Sequence, residues 1–323
     1  MSKQHKFLFE GLPVRGVLVQ LTDVWQEVLA RRAANRETGA YAEPVRRLLG
    51  EMTAAAVLLQ SNIKFDGALV LQLSGDGPMR LGVVEVQSDL RLRCTAKVVG
   101  EVSAQADLIA LVHPQGGGQC AITLDPQNRL PGQQPYQGVV PLEDAQGQPL
   151  ASLAGILERY MLLSEQLDTT LVLAANDERA AGLLIQRMPA TGEANLSGES
   201  LQDDQDRMGH NEHYNRIATL ASSLTSEELL SLDATTLLHR LFWQEQVRLY
   251  DPLVPRFACR CSEERVRQMI HSLGREEAES VLQERPDLEV GCDYCGRQYR
   301  FDAVDVAQIF SPSQSVSGNA TLQ

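Results

Sequence analysis

The sequence predicts an α+β fold in three parts: a large N-terminal core, a partly helical acidic linker and a small C-terminal domain organised by cysteines. Three observations carry this. Strand patterns separated by tight turn signals, with helical periods inserted between them, fill residues 1–188. Acidic side chains concentrate in 189–236, which holds nine acids and two bases. Four of the six cysteines lie between 259 and 295.

In the core, residues 14–21 read as a strand, and Asp23 is placed to cap a helix through Trp25, Val28 and Leu29. A second helix is expected over 44–61, because Leu48, Leu49, Met52, Ala55, Ala56 and Leu59 recur on a helical period. Strands follow at 67–73, 79–87 and 90–99, separated by the turn signals Gly75-Asp76-Gly77-Pro78 and Ser88-Asp89. Gly116-Gly117-Gly118 lacks the spacing of a phosphate loop and reads as a hairpin turn before a strand at 120–124. A helix over 149–166 and a strand over 169–174 complete the pattern. Cys94 and Cys120 fall inside strand patterns and are expected to be inert and buried. His113 reads as a structural histidine.

The linker is expected over 189–243. Gly, Ser, Asp, Gln and Asn dominate up to about residue 211, and 189–236 has a net charge of −7 out of −13 for the chain. His210, Glu212 and His213 stand together there, but a solvated acidic segment rarely presets the geometry of a metal site. From Tyr214 onward apolar residues recur. Thr225 with Glu228 forms a capping-box pattern, and Asp233 can cap a helix carrying Leu237, Leu238, Leu241 and Phe242. Helices this short are marginal in water and need a surface to lie on.

The C-terminal domain is expected over 244–310, followed by an uncharged, Ser-rich tail over 311–323 that reads as disordered. Cys259-Arg260-Cys261 is followed, 30 residues later, by Cys292-Asp293-Tyr294-Cys295. Two close pairs around a compact insert can converge on one tetrahedral site, and four thiolates suit Zn²⁺. Ser262 can cap a helix ended by Gly274, a short helix follows over 276–283, strands flank the Cys-x-x-Cys turn, and Asp302 caps a last helix. So small an insert would draw much of its folding free energy from the metal. Bound thiolates are also the form that oxidants attack, so the same site is open to redox release.

Composition excludes several classes. No apolar run reaches the ~20 residues of a spanning helix. The acidic balance argues against bulk nucleic-acid binding, although Arg256, Arg260, Arg265, Arg267, Arg297 and Arg300 cluster near the cysteines and leave a zinc-ribbon nucleic-acid reading open. A thiol-disulfide oxidoreductase using Cys292 and Cys295 is the other alternative, but no thioredoxin-like βαβ pattern surrounds them. Glu10, Pro13 and Arg15 interrupt any secretory apolar stretch, so the expected compartment is the cytoplasm, where thiols stay reduced.

The cysteine pattern, with Phe7-Leu8-Phe9, Val14-Arg15-Gly16, Leu49-Gly50-Glu51, Ile63-Lys64-Phe65-Asp66-Gly67, Tyr136-Gln137-Gly138 and Ser164-Glu165-Gln166-Leu167, resembles the heat-shock protein 33 family across nearly the whole chain. Asp168 departs from a common proline, and Ala181-Gly182 from a frequent Gly-Gly pair. The resemblance implies a redox-regulated, ATP-independent holdase, not an enzyme. In the reduced form Cys259, Cys261, Cys292 and Cys295 hold one zinc ion and the protein is inactive. Oxidation links Cys259 with Cys261 and Cys292 with Cys295, releases zinc, disorders the linker and yields a homodimer that binds unfolding client proteins. No membrane partner is implied.

Overall fold

The computed structural model describes residues 1–35, 38–63, 65–128, 132, 134–188 and 211–311. The chain divides into two compact units, Met1–Ala258 and Cys259 onward. The polar first half of the linker and the tail beyond 311, expected to be disordered, lie outside the described residues.

In the larger unit, β1 (Lys3–Phe9) and β2 (Val14–Leu21) form a hairpin that leads into α1 (Asp23–Ala33) and α2 (Glu43–Asn62). A meander of β3 (Gly67–Ser74), β4 (Met79–Gln87) and β5 (Arg91–Val98) follows. Then come α3 (Leu108–Val112), β6 (Gln119–Pro126), β7 (Tyr136–Pro141), α4 (Leu153–Ser164) and the hairpin β8 (Thr169–Ala175) and β9 (Ala180–Arg187). The second half of the linker forms α5 (Glu212–Ser222), α6 (Ser226–Ser231) and α7 (Ala234–Phe242), and β10 (Val247–Leu249) and β11 (Arg256–Phe257) follow it. The first sheet has the order β10-β1-β2-β9-β8 and the second β11-β5-β4-β3-β6-β7. All pairings are antiparallel except β11 with β5. This is an α+β fold, as the hairpin pattern predicts.

The 20-residue α2 lies between the sheets, and 14 of its residues are buried, far more than one amphipathic stripe. Ala54-Ala55-Ala56 and Gly50 let it approach closely. A Cβ on Gly50 would sit 2.4 Å from that of Ala175. The other face of the first sheet carries a second apolar layer. Phe7, Phe9, Val14, Leu18, Leu183 and Ile185 pack there against Tyr214, Ile217, Leu229, Leu237, Leu241 and Phe242 of α5, α6 and α7. The linker helices thus have the surface they need. Their caps are those expected: Thr225 and Glu228 close a capping box, and Asp233 accepts from Thr235 and Thr236 N–H. Asn211 caps α5.

Several expectations change. Asp23 does not cap α1: it is the first helical residue, and its carboxylate accepts from the backbone N–H and hydroxyl of Ser2, anchoring the N-terminus. Gly116–Gly118 is not a hairpin turn but part of the loop from α3 to β6. There Gly117 N–H donates to Asp76 Oδ2 (2.9 Å) and Gly118 N–H to His113 Nδ1 (2.8 Å). His113, which also meets Glu143, is a satisfied structural histidine. Residues 244–258 pair with the larger unit rather than the cysteine-bearing one. β10 extends the first sheet and β11 the second, and both satisfy their backbone groups on those edges.

A four-cysteine candidate metal centre

The smaller unit is built around two turns. Cys259 and Cys261 precede Ser262, whose hydroxyl caps α8 (Glu263–Leu273) by accepting from Arg265 N–H at 3.3 Å. Gly274, at φ +101°, ends that helix and admits α9 (Arg275–Glu284). β12 (Leu288–Gly291) and β13 (Gln298–Phe301) pair antiparallel and present Cys292 to Cys295 at their tip. Cys292 N–H donates to Arg297 O (2.9 Å) and Gly296 N–H to Cys292 O (2.8 Å). Gly296 takes φ +71°, a left-handed value that glycine adopts without strain. Backbone N–H groups of Tyr294 and Cys295 face the Cys292 sulfur, and that of Arg297 faces Cys295. Such turns favour a bound anion, here a thiolate. Asp302 caps α10 (Ala303–Ile309) through a full capping box.

All four sulfurs lie within 4.8 Å of one another. The closest contacts run between the pairs: Cys259 to Cys292 at 3.6 Å and Cys261 to Cys295 at 3.4 Å. Four sulfurs at ~2.3 Å from one ion stand about 3.8 Å apart in a tetrahedron, so the cluster has the dimensions of a Cys₄ site. The cysteines are free thiols in this structure and half-buried. Burial pushes the Cys295 and Cys292 thiols up. Burial also raises Cys261, but the Tyr299 hydroxyl and the three neighbouring thiols outweigh it and bring that thiol to about 7. The Tyr299 hydroxyl is buried, lacks a well-formed hydrogen bond, and interacts with Cys261. A permanent thiolate at Cys261 would satisfy it, which fits a metal-bearing state. Tyr299 is the residue that sequence reasoning missed: a tyrosine in a strand pattern carries no ligand signal.

The unit's core is small. Val266, Ile270, Ala278, Leu288, Tyr299, Phe301 and Val306 are its buried apolar residues. A unit of this size normally needs a staple, and the cysteine cluster is placed to hold one.

Other sequence candidates stand apart. Cys94 and Cys120 are buried, with thiols that burial raises to about 12. His213 is exposed on α5, and His210 lies outside the described residues. Among the described residues, the four cysteines form the one cluster of metal-ligating side chains. The arginines near them serve local structure. Arg267 pairs with Glu263 (2.9 Å), Arg300 with Glu289 (2.6 Å) and Arg256 with Asp89 (3.8 Å). Arg265 donates to Arg260 O, and Arg297 lies over the Tyr299 ring.

Comparison with known proteins bears on the whole chain. Residues 2–302 match the family model described as Hsp33 protein. A 33 kDa chaperonin of Chromobacterium violaceum is 44% identical over 96% of this chain and 94% of its own length. That of Shewanella woodyi is 41% identical over 98% of each chain. The crystal structure of the 33 kDa chaperonin of Thermotoga maritima shares the fold at a TM-score of 0.71, with 19% identity over 95% of this chain and 97% of that one. Fold, cysteine cluster and near-full-length identity agree, and the chain belongs to the Hsp33 family of chaperones.

Proposed function

We propose that this chaperone is a redox-switched holdase, idle while its four cysteines hold zinc and active, without ATP, once they are oxidised. The observation that supports this best is the pairing, in one chain, of four thiols close enough to share a cation with three short helices laid on an apolar sheet face. In this reading residues 1–188 bind clients and dimerise, 189–243 form the metastable linker, and the switch, expected over 244–310, is the unit from Cys259 onward, since β10 and β11 pair with the core sheets.

Bound zinc would cross-link Cys259, Cys261, Cys292 and Cys295 and keep all four sulfurs as thiolates. Peroxide attacks thiolates. In each neighbouring pair one sulfur attacks the peroxide, the O–O bond breaks, hydroxide leaves and a sulfenic acid forms. The second sulfur then displaces hydroxide to make the S–S bond. Two peroxides consume four thiolates, giving Cys259–Cys261 and Cys292–Cys295. Disulfide sulfurs lack the charge to hold a cation, so the small unit loses its cross-link. Its disorder would propagate along the chain to α7, α6 and α5, uncovering Phe7, Phe9, Leu183 and Ile185 for unfolding clients. The reducing cytoplasm would hold the switch off. The acidic linker would keep the opened, dimeric form soluble.

An oxidoreductase reading finds less support. Burial raises the Cys292 and Cys295 thiols, the reverse of what an attacking thiol in a Cys-x-x-Cys motif needs. The test is aggregation of a thermally unfolding client with reduced and peroxide-treated protein, alongside zinc and thiol counts. Suppression only after loss of four thiols and one zinc is expected. Equal suppression in both states, with zinc retained, would overturn the proposal.

A further inference from the structure

The larger unit carries a cleft that the redox reading leaves unused. It opens at the C-terminal end of α2, where both sheets and α4 contribute walls, and has a volume of about 130 Å³. Leu59, Leu69, Ile122, Leu124 and Met161 make its apolar lining. Its polar groups do not balance one another. Arg15 donates through Nε and Nη2 to Gln186 Oε1, a neutral acceptor, and has no carboxylate partner among the described residues. Lys6 is near enough to Arg15 for the two to repel. Asn62 Nδ2 is buried with no hydrogen-bond partner. The one acid at the cleft, Glu165, is exposed and accepts from the Tyr160 hydroxyl at 2.9 Å rather than pairing with Arg15.

Four of the short segments that carry the family resemblance meet here. Arg15, Ile63 and Leu167 line the cleft. Gly138 backs Tyr160, where a Cβ would come within 2.7 Å of the ring. Gln166 adopts φ +55°, a left-handed value uncommon for a non-glycine residue, and so turns Leu167 N–H back onto Met161 O (3.0 Å).

We propose that this cleft binds an apolar carboxylate of the medium-chain fatty-acid class. Its head would sit on the Arg15 guanidinium and the Asn62 amide, with its chain along the leucine, isoleucine and methionine wall. A carboxylate supplies the acceptor that Asn62 Nδ2 lacks and the negative charge that Gln186 does not offer Arg15, and charge-assisted bonds to arginine are strong. The alkyl chain fits a concave, mostly apolar lining with few polar groups.

Calorimetric titration of decanoate, below its micelle concentration, into full-length reduced protein tests this, with decanol and decyltrimethylammonium as neutral and cationic matches. One site is expected, with decanol about tenfold or more weaker and the cation not binding there. Saturation should raise the melting temperature of the larger unit. Arg15→Gln should lower decanoate affinity about tenfold while leaving that for decanol unchanged, a contrast that misfolding would not give. Met161→Trp, which fills the cleft without touching the charge, should weaken both. Equal binding of decanoate and decanol, indifference to both variants, or full displacement of decanoate by an N-acetylated dileucine would overturn the assignment.

Discussion

Tyr299 shows how one hydroxyl bears on a thiolate. Its O–H is the polar side-chain group interacting with Cys261 from β13, and it makes no well-formed hydrogen bond to any other group among the described residues. Tyr299→Phe keeps the ring in the small core and removes that donor. Metal affinity should fall about tenfold in competition with a chromophoric chelator, and unchanged affinity would make the hydroxyl a bystander. Glu51, on α2, offers a test of a different kind. Burial pushes its carboxyl up to about 7, and Arg47 offsets this only in part. The folded state therefore holds a proton that the unfolded state releases above its ordinary value of 4.5. Stability is lost as pH rises from there through 7. Glu51→Gln should stabilise the larger unit by about 3 kcal/mol at pH 8 and change little near pH 4. Denaturant melts at both pH values check the sign. The cysteines were legible because ligand spacing is a one-dimensional signal. Tyr299 and Glu51 were not, because their roles come from what the fold brings against them.

The linker helices carry the decisive local chemistry. Their caps could be read directly, since capping is set within four residues, and Thr225 and Asp233 act as expected. Thr225→Ala should cost about 1 kcal/mol of local stability, seen as faster amide exchange in 226–242 with the sheets unaffected. Phe242 is the stronger anchor. Its ring packs edge-on to Phe9 (centroids 4.9 Å apart) and lies 6.2 Å from Phe7. Phe242→Ala should cost about 3–4 kcal/mol. It should also raise client-aggregation suppression in the reduced, zinc-loaded protein, and unchanged idle behaviour would count against the proposal that the linker helices keep the sheet face covered. β9 escaped sequence reading for a physical reason. Every residue in it is buried, between α2 on one side and the linker helices on the other. Alternation, the usual strand signature, is lost when both faces are covered. β1 was missed in part because its charged residues interrupt the apolar pattern.

The whole molecule holds two cores of unequal strength. The larger unit buries an extensive core around α2, whereas the smaller one has seven buried apolar residues and a cluster of thiols. Chelation under reducing conditions should abolish the smaller unit's melting transition while leaving the main transition of the larger one, as scanning calorimetry can show. Retention of both would mean that the small core suffices without a staple. The α+β class and the position of the cysteine domain were legible from patterning. The boundary was not, because β10 and β11 are too short to register as strands, and only their partners β1 and β5 show where they belong.

The pairing of β10 with β1 also makes the linker a closed loop. β9 at one end and β10 at the other both belong to the first sheet, so the intervening chain of roughly 60 residues is fastened twice. Closure of a loop this long costs entropy that grows only slowly with length. Three register pairs and the Gln4–Leu253 bridge hold the second fastening. Once they part, the loop is still closed by β11 on β5, roughly 70 residues beyond β9, and α5–α7 still pack on the sheet face. Lengthening a closed loop by so few residues changes its closure cost by only about 0.1 kcal/mol, so the packing of α5–α7, rather than the short edge strand, sets whether the segment stays on its sheet.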